Sequence, residues 1–188
     1  MKKLIIYAHP YEHSLAKGIL DAVSQKLLSD KIAYSTIDLY KDEFCATYSK
    51  EELAGYSNGT VTDPLVLNYQ KRILDCEEII LITPIWWNDV PAMVKGFFDR
   101  VFTKGFAYRD GKRGVVGNLG HIKKVTVITT SNSPTWYLKY RCGNPIRNII
   151  IKSTLKQVGI TNAKCLNLGQ VKSADKESFL NKVKHNIV

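Results

Sequence analysis

The chain has 188 residues, 45% of them hydrophobic, with 27 Lys and Arg against 17 Asp and Glu and a net charge of +10. That length and apolar content suit a single domain over residues 1–188 with one sizeable core, and no internal repeat or low-complexity tract divides it. Cys45, Cys76, Cys142 and Cys165 are scattered with no C-x-x-C spacing, which argues against a disulfide framework or a metal site and fits a reducing cytoplasm.

The basic excess is open to two readings, a nucleic-acid surface or a general field favouring small anions. Lys and Arg stand in ones and twos, as in "YQKRIL", "HIKKV" and "KVKHN", with no long block and no interleaved aromatic ladder. A solvated basic surface, with no nucleic-acid partner, is expected.

The opening "MKKLIIYA" imitates a signal peptide, but His9, Pro10, Glu12 and His13 break the apolar run at once. No export signal and no membrane insertion are expected, and the run reads as a strand over 4–8. A helix over 14–28 and a strand over 33–38 follow, the latter alternating as an edge strand does. Residues 48–64, "YSKEELAGYSNGTVTDP", read as a long surface loop. Then come a helix over 65–75, a nearly all-apolar strand over 79–83 and a helix over 91–102. Residues 108–121, containing Gly111, Gly114, Gly117 and Gly120, read as a mobile flap. A strand over 125–130, a helix over 145–158, a strand over 164–168 and a helix from 176 onward complete the chain. Short β-branched runs alternating with helical periods imply a parallel sheet with crossover helices, its apolar first and third strands buried on both faces.

In such a sheet ligands bind beyond the carboxyl ends of the strands. After the first strand, "HPYEHSLAKG" puts Ser14 at a helix N-cap, where free N–H groups and a partial positive charge can hold a phosphate; an ordinary N-cap would look the same. After the third, "TPIWWNDVPA" fixes the backbone between Pro84 and Pro91, with Pro91 at the first helical position. Trp86 and Trp87 there form flat walls suited to a planar heterocycle, or else cover a core or a subunit interface. After the fourth, "TTSNSPTWY" supplies donors for the pyrimidine-like edge of a flavin, and the Tyr137 phenol either handles charge and protons there or is a buried ring with a wet hydroxyl. Neither Ser131 nor Ser133 sits in a G-x-S-x-G elbow, which argues against hydrolysis.

"AHPYEHS", "TPIWWNDVPAMVKGFFDRVFTKGFAY" and "ITTSNSPTWY" together resemble, over almost the full chain, the flavodoxin-like NAD(P)H:quinone oxidoreductase family of the NAD(P)H dehydrogenase (quinone) type. The spacing of Pro84, Trp87, Pro91, Ala92, Lys95, Gly96, Asp99, Arg100 and Val101 carries most of the likeness. The resemblance implies an α/β fold: a doubly wound five-stranded parallel sheet of order 2-1-3-4-5 with helices on both faces. It implies a homodimer with active sites at the interface and a flavin, FMN by the shortness of the chain, with FAD as the alternative. It also implies NADPH or NADH as donor and quinones or similar small electrophiles as acceptors. A flavin-bound ancillary subunit with little turnover is the alternative role.

By the same likeness, His9, Ser14, Leu15 and Ala16 lie at the flavin tail. Pro84, Ile85, Trp86, Trp87 and Asn88 lie at its ring, with Thr129, Thr130, Ser131 and Asn132. Tyr137 falls on the catalytic tyrosine, and Tyr108 and Trp87 contact substrate, Tyr108 across the dimer interface. The chain departs from the family at four points. Ser131 and Asn132 replace a Gly-Gly pair, Asn88 replaces an aromatic, Ala16 replaces an Asn, and no histidine follows Tyr137 in "YLKYRCGN".

Overall fold

The computed structural model describes residues 2–187. In chain order, β1 (Lys3–Tyr7) is followed by α1 (Leu15–Ser29), β2 (Tyr34–Asp38), α2 (Lys50–Gly55), α3 (Pro64–Leu74), β3 (Glu78–Pro84) and α4 (Ala92–Val101). Next come β4 (Tyr108–Gly111), β5 (Gly114–Gly117), β6 (Lys124–Thr130), α5 (Thr135–Tyr140), a π-helix (Ile146–Leu155), β7 (Ala163–Leu168) and α6 (Lys176–Asn186). Five strands form one sheet in the order β2-β1-β3-β6-β7, every neighbouring pair parallel. Counted over these five, the order is 2-1-3-4-5, as the resemblance implies.

Period-two alternation sends the two sides of each central strand into different cores. Leu4, Ile6, Ile79, Leu81, Val125 and Val127 pack with α3, α4 and the π-helix through Tyr69, Ile73, Val94, Phe97 and Ile150. Ile5, Tyr7, Ile80, Ile82 and Ile128 pack with α1 and α6 through Ile19, Val23, Leu27, Phe179 and Val183. Each such aliphatic side chain contributes about 1.5–3 kcal/mol when removed from water. Burial on both faces is why the central strands read as continuous apolar runs. The edge strand β2 is only half-buried at Tyr34, Ser35 and Thr36.

Four expectations are corrected. Residues 48–64 are not an irregular loop: Ser49 and Glu52 form a capping box that opens α2, and Tyr56–Asn58 adds a 3-10 turn. No residue of α2 is buried, so the segment shows no apolar period; it is held instead by Arg100. The buried Arg100 guanidinium bonds Glu52, reaches Asp63 Oδ2 at 2.7 Å and the Cys45 carbonyl at 2.5 Å, and lies 5.2 Å from the centre of the Phe44 ring. Residues 108–121 are not an irregular loop: 108–117 form the antiparallel hairpin β4–β5, pinned at its base where Asn118 N–H bonds Ala107 O and Leu119 N–H bonds Val158 O. Gly117 is required there, because a Cβ would lie 2.1 Å from the Val158 carbonyl carbon. Pro91 is the N-cap of α4 rather than its first helical residue, with ψ 154. The helix expected over 145–158 is mostly π-helical, and the short α5 precedes it.

Among the described residues no helix is long and apolar enough to cross a membrane, and no group of three His, Cys, Asp or Glu could hold a metal ion. Removing the Arg100 cation leaves two acidic partners, Glu52 and Asp63, without a counter-charge. Arg100→Met is therefore expected to cost about 3 kcal/mol in urea unfolding, with the main sheet retained by far-ultraviolet circular dichroism.

Candidate active site

Three loops leave the carboxyl ends of β1, β3 and β6. In the first, Ser14 caps α1 with extended backbone (φ −75, ψ 155), and its Oγ accepts from Lys17 N–H at 3.1 Å. The N–H groups of Leu15 and Ala16 precede the first intrahelical bond and stay open, and the first turn carries no acidic residue. This end of α1 is therefore suited to an anion. His9 lies beside it: Nδ1 accepts from Tyr11 N–H at 3.1 Å, which leaves the neutral ring's N–H on Nε2. Burial lowers the His9 pKa from the ordinary 6.5. Its ring meets Trp86 edge to face, centroids 6.1 Å apart, which joins the first loop to the second.

The second loop is a two-residue hairpin. Trp86 N–H bonds Asp89 O at 2.9 Å and Asp89 N–H bonds Trp86 O at 3.2 Å, with Trp87 (φ 50) and Asn88 (φ 70) both left-handed at its tip. Positive φ at both central positions defines a type I′ turn, ordinarily given to Asn-Gly. A tryptophan there stores about 1–2 kcal/mol of strain. The turn thrusts the Trp87 indole into solvent, 97% exposed, with Trp86 43% exposed beneath it. It leaves the N–H groups of Trp87 and Asn88 without backbone partners among the described residues.

The third loop is braced from β7. Asn167 Oδ1 accepts from Thr129 Oγ1 at 2.9 Å, while its Nδ2 donates to Thr135 Oγ1 at 2.8 Å and Ser131 Oγ at 3.2 Å. Ser131 Oγ in turn donates to Ser133 O at 2.8 Å. Gly169 makes room for this loop, since a Cβ there would lie 2.6 Å from Thr135 N and 2.9 Å from Ser133 O. Sequence reasoning passed over both Asn167 and Gly169. The only signal was an amide within the otherwise apolar "KCLNLG".

Ile85, Trp86, Trp87, Asn88, Ser131, Asn132, Ser133 and Tyr137 together enclose a cleft of about 520 Å³. Tyr137 is 40% exposed and meets Trp136 edge to face at 6.0 Å. Cys142 Sγ lies 3.5 Å from Asn88 Oδ1 and ties α5 to the hairpin. Pro84 and Thr130 are buried strand ends, the Thr130 carbonyl accepting from Ile85 N–H at 2.8 Å. The Thr129 side chain is buried and turned to Asn167. Tyr108 lies apart from the cleft. It lines a second cavity, of about 470 Å³, with Phe98, Phe102, Val115, Ile149 and Val158, and burial beside Tyr56 raises its phenol pKa.

The order of the parallel sheet, with ligand-facing loops at the point where it reverses between β1 and β3, matches a family model described as flavodoxin-like fold over residues 1–187. The chain belongs to this flavodoxin-like family. An uncharacterized NAD(P)H oxidoreductase of Haemophilus influenzae is 28% identical over 93% of this chain and 87% of its own length. The solved NAD(P)H:quinone oxidoreductase of Methanothermobacter marburgensis superimposes with a TM-score of 0.88 at 28% identity, covering 98% of this chain and 94% of that one. An FMN-dependent NADH:quinone oxidoreductase of Coprothermobacter proteolyticus is 29% identical over 50% of this chain and 48% of its own length, so the chain matches about half of that relative.

Two outcomes are expected of this site. Asn167→Leu removes a buried donor and acceptor from beneath the third loop, and thermal unfolding should register a loss of about 1–3 kcal/mol. His9 is held neutral, so the unfolded chain takes up its proton first as pH falls below 6.5. Its contribution to stability is complete above that pH and declines below it. His9→Asn should flatten the pH dependence of unfolding just below pH 6.5, where the unfolded chain's histidine takes up its proton and the folded one, its pKa lowered by burial, does not.

Proposed function

We propose that this chain is a flavin-dependent NAD(P)H oxidoreductase that delivers reducing equivalents to quinones or similar small electrophiles. The observation that carries the reading is the junction of an anion-ready helix terminus with an aromatic-walled cleft, linked by the 6.1 Å contact of His9 with Trp86. The residues fit FMN, a planar ring bearing one phosphate, and the relative named as FMN-dependent favours it over FAD. When bound, FMN supplies a ring that takes a hydride from NADPH or NADH and passes it to the acceptor.

The protein's part is positioning and charge. Ser14 and the open N–H groups of Leu15 and Ala16 hold the phosphate, with His9 beside them offering Nε2–H. Trp86 and Trp87 wall the ring. The unpaired N–H groups of Trp87 and Asn88 face polar edges without reorganising, because the strained turn already fixes them. Tyr137 holds a proton at its phenol oxygen on the cleft wall, and its exposure lets that proton exchange with water directly, with no histidine required. The acceptor stays a small molecule because the cleft holds only about 520 Å³.

The active unit in this reading is a homodimer. The apolar cavity around Phe98, Phe102 and Tyr108, and the near-complete exposure of Trp87, are surfaces that a second copy would cover. The cytoplasm, where nicotinamide donors are at hand, is the proposed location.

Purified protein should be yellow and release FMN on heating, identified by mass. It should oxidise NADPH or NADH in the presence of a benzoquinone well above the rate without protein. Colourless protein that takes up neither FMN nor FAD overturns the proposal. Full flavin loading with turnover at background would instead make the chain an ancillary flavoprotein. Trp87→Ala is expected to lower the flavin-to-protein ratio. Tyr137→Phe should keep flavin but slow one half-reaction in stopped flow by about 10²-fold.

A further inference from the structure

β7 closes the sheet, and one of its edges has no neighbour. Val125 N–H bonds Asn162 O and Ser131 N–H bonds Leu168 O, each at 2.9 Å, in a register that pairs Val125 with Ala163 and Thr130 with Leu168. Residues 162, 164, 166 and 168 therefore turn their backbone groups toward β6. Alternation turns the N–H and C=O of Ala163, Cys165 and Asn167 outward. Beyond the sheet ladder these groups bond no other described backbone group.

This free edge floors a groove of about 800 Å³. α5 and the π-helix form one wall, with Leu138, Ile146 and Ile151, and Lys182 of α6 stands on the other side. Lys139, Arg147, Lys152, Lys164 and Lys182 line it, and no Asp or Glu does. None of the five makes an ion pair among the described residues. The Lys164 ammonium is held by Asn186 Oδ1 at 2.6 Å, a neutral partner.

Two features thus coincide: a row of unsatisfied backbone donors and acceptors, and a concentration of uncompensated positive charge. The charge forbids the commonest misuse of an open edge, pairing with the same edge of another copy, because the five cations would meet five more. It also selects what can enter. A nucleic acid would answer the charge but offers no peptide edge, and a free nucleotide could answer only part of the row.

We propose that the β7 groove receives an extended acidic segment of a partner protein, which adds as a sixth strand along Ala163, Cys165 and Asn167 while its carboxylates meet the surrounding Lys and Arg. Main-chain pairing supplies affinity and the cationic walls supply selection. The occupant would run along the strand that carries Asn167, the brace of the third active-site loop.

The test uses the full chain and a fluorescein-labelled peptide of alternating Glu and Val. A second peptide of the same sequence is N-methylated at every other amide, and single-stranded oligothymidylate of equal charge is the rival ligand. Fluorescence anisotropy at physiological salt should give saturable binding by the first peptide. N-methylation of the edge-facing amides should weaken it about tenfold, the equivalent of one or two hydrogen bonds. Amide exchange should slow at Ala163, Cys165 and Asn167 and not at β2. The double variant Arg147→Glu with Lys152→Glu changes two exposed positions that line the groove and not the cleft, and should abolish binding while leaving the fold and flavin content intact. Absence of saturable binding, equal binding of the N-methylated peptide, equally tight competition by oligothymidylate, or protection confined to another edge would each overturn the proposal. None of these outcomes bears on whether the cleft holds flavin, so the two readings fail separately.

Discussion

All five strands of the main sheet run the same way, so every loop that follows a strand emerges on one side of the molecule. Each crossover carries the chain back to the amino-terminal end of the sheet before the next strand begins. The cost is a polar, irregular rim where backbone groups lose their ladder partners. Between β1 and β3 the crossovers diverge to opposite faces, and the rim opens there into a depression. The open N-terminal end of α1 and the tryptophan hairpin both lie along that divergence.

Holding such a rim in one shape takes local devices, and two kinds are present. One is strain fixed by a short hydrogen-bonded ring, as in the Trp86–Asp89 hairpin, where two non-glycine residues are forced into the left-handed region. The other is support from below, where the single amide of Asn167 satisfies hydroxyls at the end of β6 and at the start of α5. The first leaves two backbone donors without partners at the rim of the cleft; the second fixes the opposite wall. Each contributes only a few kcal/mol, yet the spacing of the cleft rests on both.

The fold was legible because the central strands are buried on both faces and announce themselves as apolar runs between helices of clear period. The loop residues were legible too, from their positions after the strands and from the family likeness. What escaped notice was held by side chains distant in sequence. α2 buries nothing and depends on Arg100, almost fifty residues later. Asn167 and Gly169 serve a loop more than thirty residues upstream, and neither has a local pattern. The β4–β5 hairpin was hidden by its glycines, which read as looseness, although Gly117 is there to admit a neighbouring backbone. Tyr108 shows the remaining difficulty: its place in the sequence says nothing of the separate cavity it lines.

The π-helix has a consequence for how chains of this kind vary in length. Two of its inward residues, Ile150 and Leu155, are five positions apart, wider than the three or four of an α-helix. A helix wound this way takes up more residues per turn than an α-helix does. A related chain with one residue fewer between Pro145 and Val158 can tighten to ordinary α-winding and still deliver the following strand in register.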